Sequence, residues 1–186
     1  MGSQKRAFQT LNRSVLALTV GLAAYAVVVA FLRQFGDPAS LFNLAFYLLL
    51  VFNTYFSVSF TEAAFGVRNL IDTGINALLM IGYLAAPWVM GDTMHFYLCI
   101  ALFFCVAVIK YAAWLKIVDG HFFLRRKIIA NTCGALLGLL VILTLSGLDR
   151  AFDLTAAGVA CALFAAANVW VLLIDPLYRE AQTRPG

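Results

Sequence analysis

Hydrophobic residues fall along this chain in six long blocks, at 14–32, 41–60, 70–90, 96–115, 128–147 and 155–174, separated by short polar breaks. Each block holds about twenty mostly apolar residues, the length that a helix rising about 1.5 Å per residue needs to cross about 30 Å of hydrocarbon. Lipid cannot satisfy free backbone groups, so every block is predicted to be helical. The breaks agree: 33–40 contains Gly36, Asp37 and Pro38, Gly91 and Asp92 follow the third block, and 148–153 carries Asp149, Arg150 and Asp153. The predicted fold is an all-α integral membrane protein, a bundle of six transmembrane helices over 14–177. A cytoplasmic segment at 1–13 precedes it and a cytoplasmic tail at 178–186 follows.

Composition supports that class. In 186 residues, 63% are hydrophobic and 12% charged, and the mean hydropathy is +0.92; so small a soluble domain has too little interior to hide this much apolar surface. The net charge of +4 would suggest nucleic acid in a soluble protein, but here the basic residues cluster beside the apolar blocks, so no nucleic-acid partner is expected. Lys5, Arg6, Arg13, Arg68, Lys116, Arg125, Arg126, Lys127, Arg179 and Arg184 fall on one side of the predicted membrane, against Arg33 and Arg150 on the other. The excess places both termini in the cytoplasm, in what reads as a bacterial inner membrane. The first apolar block is longer than the core of a cleavable signal and reads as an uncleaved first span.

A faint repeat runs through the outward helices. Arg13 precedes Thr19 and Gly21, Arg68 precedes Thr73 and Gly74, and Arg126 precedes Thr132 and Gly134; each set is followed in the returning helix by Asn53, Lys110 or Asn168. Three tandem helical hairpins would produce this pattern, and so would unrelated apolar helices.

Catalytic and metal chemistry find little support. Cys99, Cys105, Cys133 and Cys161 lie inside apolar blocks with no CxxC pair and are expected to be free thiols. His95 and His121 flank opposite ends of the fourth block, too far apart to ligate one haem. No phosphate loop, HExxH or GxSxG is present, and no cofactor is expected.

Polar groups inside a membrane are costly, so their depth is informative. They gather in the predicted cytoplasmic half: Asn53 through Thr61 to Glu62 in the second block, Asp72, Thr73 and Asn76 in the third, Lys110 and Tyr111 in the fourth, then Asn131, Thr132, Asn168 and Asp175. The other half is nearly pure Leu, Val, Phe and Ala. Asp72 and Asn76 are four apart and share a helix face, as do Asn53 and Ser57. Lys110 lies about one and a half turns inside Lys116 and needs a carboxylate, Asp72 or Glu62, or a route to the headgroups. Asn53, Glu62, Asp72, Asn76, Lys110 and Asn168 are therefore the candidate ligand-binding residues, and interhelical hydrogen bonding is the bland alternative for the amides.

Two further features concern packing. Gly134 and Gly138 form a GxxxG, and Gly158, Ala162 and Ala166 form a small-residue ridge, so the fifth and sixth spans are expected to pack together, with a homo-oligomer interface as the alternative. The segment KIVDGHFFLRRK at 116–127 reads as a loop on the inner headgroup surface, its Phe residues entering the acyl boundary. Trp88, Trp114 and Tyr178 suit interface belts.

Three functions compete. A polar vestibule open to the cytoplasm suits binding or translocation of a small solute or ion, as in a transporter or channel. A non-catalytic subunit, sensor or effector would act through homo-oligomerisation or a membrane-protein partner, with membrane lipids as its other neighbours. A lipid-modifying enzyme would have to recruit Glu62, Asp72 and His121, which form no recognised set; the chain reads as non-enzymatic.

Overall fold

In a computed structural model, backbone is described for 2–64, 70–117, 121–147 and 152–174, and side chains for 13–60, 72–117, 122–147 and 152–173. The described chain is helical apart from short turns: α1 (Gly2–Leu32), α2 (Pro38–Ala64), α3 (Leu70–Ala85), α4 (Thr93–Trp114), α5 (His121–Gly147) and α6 (Asp153–Val169). Five stretches are long and apolar enough to cross a membrane: Arg13–Leu32, Pro38–Phe60, Thr93–Trp114, Phe122–Gly147 and Asp153–Leu173. That set is compatible with a multi-pass integral membrane protein. The third block departs from expectation, because α3 has 16 residues and passes into a 3-10 turn at Ala86–Val89.

Pro87 explains the change. It has no N–H to give the carbonyl of Tyr83 four residues earlier, and the Tyr47 hydroxyl donates to that carbonyl instead, at 2.8 Å. Tyr25 likewise donates to the carbonyl of Leu84 at 3.0 Å. Beyond the end of α1 the chain turns at Gln34, which has a φ of 55°, with the Phe35 N–H donating to the Ala30 carbonyl at 3.0 Å. Asp37 then caps α2 ahead of Pro38, accepting from the Ser40 N–H at 2.9 Å. Asp92 caps α4 in the same way, accepting from the His95 N–H at 3.0 Å.

Two cores hold the bundle. The larger centres on Phe46, Tyr47, Phe96, Tyr97 and Ile100, where Phe46 stacks on Phe164 of α6 at 4.3 Å and meets Tyr97 edge-on at 5.4 Å. The smaller, made of Phe60, Ala107, Tyr111, Trp114, Phe123 and Leu124, lies at the end where α4 stops and α5 begins. We call this the basic end, after Lys110 and Lys127.

Several packing expectations are corrected. α5 packs most extensively on α4, and α6 on α2. The GxxxG faces α4: a methyl on Gly134 would meet the Phe104 ring at 2.8 Å, and one on Gly138 would meet Ala101 at 3.0 Å and the Tyr97 carbonyl at 3.1 Å. Gly158 looks toward Phe42 of α2. The segment 116–127 is not a loop throughout, since α5 begins at His121 and buries Phe123 and Leu124; Phe123 packs on Phe60 at 4.6 Å, and Phe122 stays outside. The end of the bundle opposite the basic end is less purely apolar than expected. Asn43 is fully buried there and donates to the Met90 carbonyl at 2.9 Å.

Candidate functional site

At the basic end the helical spacing of Asp72 and Asn76 has its expected result. Both point toward α4, and the Asn76 amide donates to Asp72 Oδ2 at 2.9 Å. Lys110 Nζ donates to Asn76 Oδ1 at 2.6 Å and stands 3.5 Å from Asp72 Oδ1. Trp114, one turn further along α4, donates its indole N–H to Asp72 Oδ1 at 3.1 Å, while the Lys110 ammonium lies 5.2 Å from its ring centroid. Asp72 is buried, and a carboxylate in that position requires this ring of donors and a countercharge. The interface-belt assignment of Trp114 is thereby corrected: the ring is 4% exposed and braces the ion pair.

Beside the pair is a cavity of about 280 Å³ between α1 and α5. Asn53, Asn76 and Lys110 all reach its wall, together with Ser57, Lys127 and Asn131. The wall is cross-linked by hydroxyls: Ser57 bonds Tyr111 at 2.8 Å, and Thr54 bonds Tyr83. A second cavity of about 260 Å³, bounded by α2, α4, α5 and α6, shares Asn53, Phe104, Lys127 and Asn131 with the first and adds Asn168. The six candidates thus divide. Asn53, Asn76 and Lys110 meet in one cavity, Asp72 sits behind them as their anchor, and Asn168 lines the adjoining one. Glu62 belongs to the last turn of α2, and its side chain is outside the described residues.

Lys127 is the residue that the sequence did not single out. It reads as one of four basic loop residues, yet it sits in α5, 5% exposed, on the wall of both cavities. The available signal was its spacing of four from Asn131, whose amide donates to the Lys127 carbonyl at 2.9 Å. The four cysteines are free thiols, Cys161 buried and Cys105 and Cys133 exposed, with Cys133 at the edge of the second cavity. Among the described residues no three His, Cys, Asp or Glu side chains gather as metal ligands would.

Compared with protein families, curated proteins and solved structures, the chain has no significant match in any of the three.

Proposed function

We propose that this protein binds or translocates a small polar solute or ion through the cavity at the basic end, open toward the cytoplasm. The supporting observation is convergence: three residues chosen for their cost inside a membrane, Asn53, Asn76 and Lys110, line a single hollow of about 280 Å³. Amides that served only as glue between helices would have no need of a shared cavity. Six crossings with both termini in the cytoplasm, in a bacterial inner membrane, belong to the same proposal. So does the three-hairpin repeat, whose matched positions Asn53, Lys110 and Asn168 all fall on cavity walls.

Thiol accessibility tests it. With Cys99, Cys105, Cys133 and Cys161 replaced by Ala, Asn53→Cys and Asn76→Cys are expected to react with a charged, water-soluble thiol reagent added from the cytoplasmic side. Leu102→Cys and Leu143→Cys, on outward apolar faces, are expected not to react. Solute flux into vesicles carrying the protein would then separate transport from binding. If Asn53→Cys and Asn76→Cys both stay unlabelled in folded protein, the solute reading fails and a non-catalytic subunit becomes the better account.

A further inference from the structure

The seam between α5 and α6 has features that the central cavity does not use. Because α6 leans on α2, it touches α5 less, and two hollows open along that seam. The one at the basic end carries Lys127, Asn131 and Asn168 among apolar walls. The other, about 200 Å³, runs toward Thr144 and Phe152, and its lining is apolar apart from two threonines. The hollows share Leu137 and Leu163 in their walls, so they adjoin, and together they outline a slot with a polar end and an apolar end. From Lys127 to Thr144 the slot follows α5 for about 25 Å, at about 1.5 Å per residue.

Asn168 indicates what the polar end receives. Its side chain is 7% exposed and its amide N–H donates to the Phe164 carbonyl at 2.8 Å, but its Oδ1 has no hydrogen-bond partner among the described residues. Among the described residues that oxygen has no donor, which a hydroxyl would supply. Lys127 lines the same hollow, and an anionic oxygen placed there would favour its charged form and accept from it. A charged group, a hydroxyl and a long apolar tail in sequence describe an amphiphile. A water-soluble solute has no use for the apolar half.

We propose that the α5–α6 seam is a lateral site for an anionic phospholipid with a free headgroup hydroxyl. The phosphate faces Lys127, the hydroxyl donates to Asn168 Oδ1, and one acyl chain passes Leu137 and Leu163 toward Thr144. Entry is sideways from the bilayer, since Leu163 and Val159 on this wall are 53% and 54% exposed. This site is separate from the solute cavity and meets it at one wall.

Native mass spectrometry of the full chain in nonionic detergent tests the proposal, with phosphatidylglycerol, phosphatidic acid and phosphatidylcholine as added lipids. Phosphatidylglycerol is expected to bind about tenfold tighter than phosphatidylcholine, and Lys127→Met to remove most of that difference. Asn168→Leu is expected to weaken phosphatidylglycerol about tenfold while leaving phosphatidylcholine, whose headgroup has no hydroxyl, unchanged. Leu163→Trp, filling the waist of the slot, is expected to weaken all three lipids. If Lys127→Met does not fold, Asn168→Leu and Leu163→Trp decide. Equal binding of phosphatidylglycerol and phosphatidylcholine, or wild-type binding by Leu163→Trp, would overturn the proposal. Equally tight binding of chainless glycerophosphoglycerol would also overturn it, making the polar hollow a soluble-anion pocket and leaving the solute reading intact. Lipid binding that persists while Asn53→Cys and Asn76→Cys both stay unlabelled would sink the solute reading alone.

Discussion

The ammonium of Lys110 sits closer to an amide than to the carboxylate that balances its charge: it is 2.6 Å from Asn76 Oδ1 and 3.5 Å from Asp72 Oδ1. Asn76 therefore acts as a relay, accepting from the cation with its oxygen and donating to the anion with its nitrogen. The pair is held partly through a third side chain that also faces the cavity.

Removing the cation should expose this dependence. Lys110→Met leaves Asp72 buried with a net charge and is expected to cost about 3 kcal/mol. Adding Asp72→Asn should recover about half of that loss. Chemical unfolding of the four proteins in detergent gives the coupling energy, and strictly additive effects would mean that the lysine serves the headgroup surface instead.

The glycines of α5 and α6 should respond in opposite directions. At Gly138 a methyl would press on the Tyr97 carbonyl and Ala101, backbone and near-backbone atoms that cannot swing away. Gly138→Ala is expected to destabilise by about 1–3 kcal/mol. At Gly158 the nearest atom would be Phe42 at an ordinary 3.6 Å, so Gly158→Ala should be neutral or stabilising by up to about 1 kcal/mol, because Ala is the better helix former. Thermal unfolding of the two variants distinguishes this packing from an α5–α6 interface, in which both would be damaging.

Tyr47→Phe removes the donor that satisfies the carbonyl freed by Pro87. With that oxygen buried and unpaired, a loss of about 1–3 kcal/mol is expected. Stability equal to wild type would mean that the carbonyl finds another donor.

Asp37 supplies a pH-dependent term outside the apolar stretches. Burial works upward on its carboxyl, but hydrogen bonds from the Ser40 side chain and backbone and from Ala39 outweigh it and hold it below the ordinary 3.8. A lowered folded-state value means that the stabilisation is present above 3.8 and is lost as the pH falls through that region. Asp37→Ala should cost about 1 kcal/mol at neutral pH, with the gap to wild type closing on acidification below 3.8. A gap that stays constant down to about pH 2 would place the cap's contribution elsewhere.

Orientation is tested independently. Reporter fusions at Gly36 and Gly91 should read as outside and those at Gly66 and Gly120 as inside, following the ten-to-two excess of basic residues. A consistent reversal would turn the cavity away from the cytoplasm.

The apolar blocks were legible because their length alone sets them apart, and Asp72 with Asn76 was legible because helical geometry fixes which positions share a face. The rest depended on partners. Small residues at 134 and 138 announce a close approach without saying to which helix. Lys127 is indistinguishable from Arg125 and Arg126 in a count of basic residues, and only the burial of Phe123 and Leu124 draws that turn into α5. The 3-10 turn follows from Pro87, yet nothing in the string says that Tyr47 would stand opposite the carbonyl it frees. Trp114 has the composition of an interface anchor and becomes a brace because Asp72 is placed against it.

The stacking of Phe46 on Phe164 also bears on how the protein is made. The two rings are separated by roughly 120 residues, so at about 5–20 residues per second a ribosome delivers the second about 6–24 s after the first. Throughout that interval α2 waits with its stacking face uncovered. Bundle completion thus awaits the synthesis of α6, and a chain stopped before residue 153 would present an aromatic seat that a neighbouring helix could take.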